Sequence, residues 1–288
     1  MIQPIGVIHD IGYRHYDGPR LGRGYATTAL ALNSLRGVFG LGRAARAKIM
    51  PFLIAGTMLL PAVVSIAVMA LLKERPLAYP GYAVTMQAVL AIFVAAQSPY
   101  LVAPDLRFRV LPLYLSRPIT SLDYVAAKLV AMIAALYLLL ALPLTLMYLG
   151  ELLIDLDGPP HTGDYFAALG GGLVCAVTLA VIGVAIASFT PRRGLGVAAV
   201  IAFYMFTLAA SAVFFGVLLS EGHETAAEWS ILINPFFLVD AVQVNLFGTE
   251  AANGQGYPPG AGPAVITAGV IALALGALVL RYRKAAAA

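Results

Sequence analysis

The chain has 288 residues, is 61% hydrophobic and only 11% charged, and carries a net charge of +4 with a mean hydropathy of +0.88. A soluble domain of this size would carry roughly a quarter charged residues, so an ordinary soluble globular domain is excluded. The positive balance needs no nucleic acid, because basic loops facing anionic lipid account for it, and the lone Cys175 rules out an internal disulfide or a cysteine-based metal cluster.

The first fifty residues are polar and basic. Residues 2–24 are rich in Gly, Tyr and Arg, including Tyr16-Asp17-Gly18-Pro19-Arg20, and read as an irregular segment with no assignable role. Over Tyr25–Lys48, Leu32, Leu35 and Phe39 recur at three- and four-residue steps with Arg36, Arg43 and Arg46 between them. This spacing predicts an amphipathic helix lying in the membrane interface ahead of the first span. Gly37, Gly40 and Gly42 weaken that helix and leave a loosely ordered basic arm as the alternative. No cleavable signal peptide is expected, because the first insertable run begins only near Phe52.

Crossing the hydrocarbon core takes about 20 mostly apolar residues as a helix. Six stretches qualify: Phe52–Leu72, Tyr82–Ala103, Leu129–Gly150, Tyr165–Phe189, Val197–Leu219 and Ala264–Leu280. They lack the alternation of barrel strands, so the expected fold is an all-α polytopic bundle forming one transmembrane domain. Read up and down, sixteen of the eighteen Lys and Arg fall on one side, leaving only Lys73 and Arg75 opposite. Positive charge near span ends stays inside, so both termini are expected in the cytoplasm. Glu151, Asp155, Asp157, Asp164, Glu221, Glu224, Glu228, Asp240 and Glu250 fall on the outer side, with Glu74.

The 104–128 loop holds an apolar run, Val110–Leu115, bracketed by charge, which is expected to pack on something other than lipid. Ser116-Arg117-Pro118 breaks the chain, and Thr120 or Ser121 can cap the helix that enters the third span. This is a plausible protein-docking element or an ordinary interfacial connector. The 220–263 segment contains an apolar stretch, Ile231–Phe247, interrupted by Asn234-Pro235 and by Asp240. It is too short and too broken to cross and reads as a re-entrant pair of outer helices. Asp240 is a candidate pathway residue, since ionisable groups at membrane depth are functional candidates; it can equally cap a helix or face water. The Gly170-Gly171-Gly172 run is expected to allow close helix packing in the fourth span.

No phosphate loop of the form Gly-x-x-x-x-Gly-Lys-Ser/Thr occurs, nor a Gly-x-Ser-x-Gly nucleophile elbow. The four histidines all lie outside the spans, and His161 with Asp164 reads as part of a solvated acidic loop rather than a metal site. The bundle therefore carries no engine of its own, and a partner that drives it is expected.

Leu113-Tyr114-Leu115-Ser116-Arg117-Pro118-Ile119, followed by Tyr124 and Lys128, is similar to the Leu-Leu-Ser-x-Pro-Ile…Leu-x-x-x-Lys pattern of permease subunits of ATP-binding-cassette (ABC) transporters of the type-2 export class. The chain also resembles that family in its six spans, its internal termini, its helix before the first span and its re-entrant helices between spans five and six. It departs at Asp105–Pro112, where many members have an acidic-basic stretch ending in Gly-Thr. The resemblance implies a dimer of such permeases, identical or not, joined to two cytoplasmic ABC ATPase subunits in the cytoplasmic membrane of a bacterium. It places a coupling helix between spans two and three, with Asp105, Arg107, Arg109, Tyr114 and Arg117 as the ATPase-contacting region. It implies no catalytic residue, cofactor or metal in the chain itself and no nucleic-acid partner, and membrane lipid surrounds the spans. The apolar spans point to a lipophilic cargo such as a drug, natural product or lipid. An ion-gradient-driven carrier or channel using Asp240, and a non-transporting scaffold, are the alternatives.

Overall fold

The computed structural model describes Gly12, Gly18, residues 21–154, 156, 158–190 and 192–286. Most of the Tyr16–Arg20 segment, and Asp155 and Asp157, lie outside the described residues. Among those described the structure is all-helical, with eleven helices and no strand.

Helix α1 (Arg23–Val38) is followed by a break and then α2 (Arg46–Leu72). The predicted helix over Tyr25–Lys48 is thus corrected. Gly40 and Gly42 adopt φ of 68° and 78°, the left-handed region that glycine enters without a Cβ penalty, and the chain turns there. Leu35, Val38 and Phe39 pack on the main core, whereas Leu32 is exposed.

After the 73–81 loop come α3 (Tyr82–Thr85) and α4 (Gln87–Arg107). The single predicted span Tyr82–Ala103 is therefore split at Met86 and runs one turn further. The split seats the Tyr82 side chain against α2, where its hydroxyl donates to the carbonyl of Met58. Next are α5 (Leu111–Leu115), α6 (Ser121–Leu153), α7 (Thr162–Phe189) and α8 (Arg193–Ser220). The chain ends with α9 (Glu224–Ile231), α10 (Pro235–Phe247) and α11 (Gly262–Ala286).

Six helices, α2, α4, α6, α7, α8 and α11, are long and apolar enough to cross a membrane. This is the architecture of a polytopic α-helical membrane protein. The helices overshoot the predicted spans because the hydrocarbon needs only about 20 residues. The 33 residues of α6 extend about 50 Å at 1.5 Å per residue. Helix α7 is the central post, with 72% of its apolar window buried against 28% for α2, 22% for α8 and 17% for α11. One contiguous core joins α2, α4, α6 and α7 through Met58, Phe93, Met132, Leu136, Leu140 and Leu179.

Helices α9 and α10 meet at 110°. Asn234 caps α10 by accepting from the Phe236 N–H at 3.0 Å and also donates to the Gln87 side chain at 3.1 Å. The N-terminal end of α10 sits by the middle of α8, with the Phe236 and Tyr204 rings 5.9 Å apart. Its later turns lie against the beginning of α7: a Cβ at Gly171 would overlap the Gln243 side chain, and one at Gly170 would press on Phe247. The glycine run thus lets α10 approach α7 closely.

Candidate functional site at the basic end of the bundle

The end of the bundle that carries α1 and α5 gathers the cations. Its anchor begins at the start of α6. Thr120 caps that helix: the Asp123 N–H donates to Thr120 Oγ1 at 3.3 Å, while Thr120 N donates back to Asp123 Oδ2 at 2.7 Å. Such a reciprocal box satisfies backbone donors that the helix cannot use internally. Arg23 of α1 then grips the same carboxylate with Nε and Nη2, both at 2.8 Å, a two-point fit that suits a guanidinium. Asp123 in turn raises the Arg23 pKa above its ordinary value. Helix α1 is fastened to the third span through this clamp.

Behind α5, the carboxylate of Asp105 faces inward. Lys128 Nζ lies 3.2 Å from Asp105 Oδ2, and the Tyr124 hydroxyl donates to the same oxygen. The Tyr124 ring is fully buried, 5.3 Å from the rings of both Tyr114 and Tyr282. One cluster therefore ties α4, α5, α6 and α11 together. Burial, with Asp105 nearby, pushes the Tyr114 phenol above its usual pKa, so this side chain stays neutral and serves as a packing anchor.

Helix α5 is pinned by Leu111 and Tyr114 and turns its other face outward: Leu113 is 71% exposed, and neighbouring Phe108 is 67% exposed. Arg107, Arg109 and Arg117 are exposed around it. Of the five residues expected from sequence, Arg107, Arg109 and Arg117 thus lie on the surface, Tyr114 is half-buried, and Asp105 supports the element from within. Sequence reasoning gave no role to Arg192 and Arg281, which line one cleft with Arg107 and Arg109. Their chain segments are far apart in sequence, and only the charge map hinted at them.

Asp240 sits elsewhere, in α10. It is 4% exposed, and its Oδ2 accepts from the Tyr257 hydroxyl at 2.7 Å and from the Ala252 N–H at 2.9 Å. These bonds hold the 249–262 loop over α10. No group of His, Cys, Asp and Glu suited to a metal ion occurs among the described residues. Comparison with protein-family models and with curated proteins gives no match to either.

Proposed function

We propose that the chain is the membrane-spanning permease subunit of an ABC exporter, driven by separate cytoplasmic ATPase subunits. One observation carries the reading. A short helix, α5, is fixed between the second and third spans by buried tyrosines while presenting Leu113, Phe108 and three arginines outward. An apolar knob ringed by arginine has the make-up of a protein contact, and its rigid mounting on α4, α6 and α11 suits it to pass motion to the spans.

In this reading the basic end faces the cytoplasm, in keeping with the positive-inside rule. Helix α1 lies in the inner interface, its exposed Tyr25 and Leu32 turned to lipid. The sparsely covered α2, α8 and α11 offer faces for lipid and for a second permease subunit. The chain has no ATPase motif and contributes transport, not hydrolysis. The cargo is a lipophilic small molecule or lipid. Asp240 has a structural duty here, and nothing favours an ion-driven carrier.

The test is co-purification of the tagged chain with its ATPase from native membranes, for the wild type and for Arg107→Glu with Arg109→Glu. The wild type brings down a stoichiometric protein bearing a phosphate loop. The reversed variant reaches the membrane in normal amount but loses that partner and transport together. Normal transport by the reversed variant would sink this placement of the coupling element.

A further inference from the structure

At the basic end, the ion pairs among the described residues leave several cations uncompensated. Asp105 is engaged by Lys128 and Asp123 by Arg23. Arg107, Arg109, Arg192 and Arg281 form no ion pair among the described residues, yet all four line one cleft of about 580 Å³ together with Asp105 and Leu111. They come from four places: the end of α4, the α4–α5 turn, the residue before α8 and the last turns of α11. Like charges brought together without an anion repel. The fold nevertheless holds them there. Arg109 adopts φ 53°, a left-handed conformation that is strained for a side chain with a Cβ. Arg281 uses Nε to donate to the Ser188 carbonyl at 3.3 Å, which orients its guanidinium and leaves the two terminal nitrogens for a ligand.

We propose that this cleft is a binding site for a phosphate group. Guanidinium forks match phosphate oxygens two at a time. The cleft lies where three membrane-length helices, α4, α8 and α11, end or begin, and basic pockets between spans bind anionic headgroups. The ligand is a phosphate monoester or diester, presented either by an anionic phospholipid or by a soluble phosphate ester. The Leu111 wall adds apolar contact for the carbon attached to it. Arg107 and Arg109 are shared with the proposed ATPase-contacting region, so the test rests on Arg192 and Arg281, which lie outside the α4–α5 element.

The full chain, purified in a neutral detergent and stripped of lipid, is titrated with short-chain phosphatidylglycerol and, separately, with glycerol phosphate. Binding is read by calorimetry and by native mass spectrometry. One saturable site per chain is expected. Arg192→Gln with Arg281→Gln weakens it roughly tenfold or more, as losing charge-assisted hydrogen bonds does. Arg192→Gln alone, at an exposed position, weakens it measurably and guards against a folding defect in the double variant. Arg36→Gln with Arg46→Gln removes the same net charge elsewhere and leaves binding unchanged. Saturation by the lipid alone assigns the site to a headgroup, and saturation by glycerol phosphate assigns it to a soluble ester; both support the proposal. It is overturned if neither probe saturates, if the Arg192/Arg281 variants bind like wild type, or if the remote control loses as much. Loss of an ATPase partner in those variants without phosphate binding by the chain alone also overturns it, and makes the cleft a protein contact.

Discussion

The two ends of the bundle each bring a carboxylate inside and solve the resulting problem differently. At the basic end, Asp105 is held by Lys128 and the Tyr124 hydroxyl. At the opposite end, Glu151 is 4% exposed and is held by the Tyr79 hydroxyl, by His161 Nδ1 at 2.7 Å and by the His161 N–H at 3.2 Å. A tyrosine serves in both places, but its companion is a lysine in one and a histidine in the other. The Glu151 cluster also extends into a ring stack, with Tyr148 and Tyr165 4.3 Å apart and nearly parallel, and fastens the 73–81 loop and His161 to α6. Burial and the Glu151 carboxylate raise the Tyr79 pKa well above its ordinary value, so the phenol remains a donor through neutral and alkaline pH. The Asp105 cluster opens on a cleft whose arginines form no ion pair among the described residues, whereas the Glu151 cluster lines a cleft with Lys73 and Arg75 and has Arg75 over the Tyr79 ring. The first reads as a mount for something that binds, the second as a latch.

The sharpest way to break this comparison is to remove the lysine. Lys128→Met leaves Asp105 inside the bundle with one neutral donor. Stranding one partner of a buried pair costs 3–5 kcal/mol when burial is complete. The Asp105 side chain keeps 15% exposure, so about 2–3 kcal/mol is expected, read as a large fall in the thermal midpoint in detergent. Adding Asp105→Asn should restore most of it. An additive double variant would show that the two groups are not coupled.

The tyrosine half of each cluster is worth less. Tyr79→Phe keeps the ring but removes one of three donors to Glu151, for a loss of about 1–2 kcal/mol. In a Glu151→Gln background the same substitution should matter much less, because a neutral acceptor depends less on each donor. Equal losses in both backgrounds would mean that the ring packing between Tyr79, Tyr148 and Tyr165, not the hydroxyl, secures the latch.

These clusters explain what could and could not be read from the chain. The six spans were legible because lipid demands long apolar helices and the sequence has six. The Thr120 cap was legible because its partners are three residues apart, and the glycine run in α7 announced close packing. The turn at Gly40 and Gly42 was underweighted: a three- and four-residue spacing persisted across a break that positive φ imposes. The Met86 break had no local signal, and the Tyr82 contact beside it is with Met58 on another helix. The carboxylate clusters were hidden for the same reason. Tyr79 and Glu151 are 72 residues apart, and Arg23 and Asp123 are 100 apart, distances over which no periodicity speaks. Arg107 and Arg109 stood out in a short charged loop, but Arg192 and Arg281 joined them only through the packing of α7, α8 and α11.

The third internal acid gives the smallest expected effect and refines the comparison most. Asp240 has a tyrosine, like the other two, but its second bonded donor is a backbone N–H and not a cation. Among the described residues no cation pairs with this carboxylate, and burying a carboxylate without a paired charge is the expensive arrangement. Asp240→Asn keeps an oxygen to accept from Tyr257 and Ala252 and removes the charge. The two contributions oppose one another: weaker hydrogen bonds destabilise, and relief of an unpaired buried charge stabilises. The net change should fall within about 1 kcal/mol, far below that for Lys128→Met. Transport should persist, since the bonds place Asp240 in a loop clasp. If Asp240→Asn abolished transport while leaving the thermal midpoint unchanged, the clasp would be carrying an ion or proton. The proposal of a partner at α5 would then give way to an ion-gradient-driven carrier.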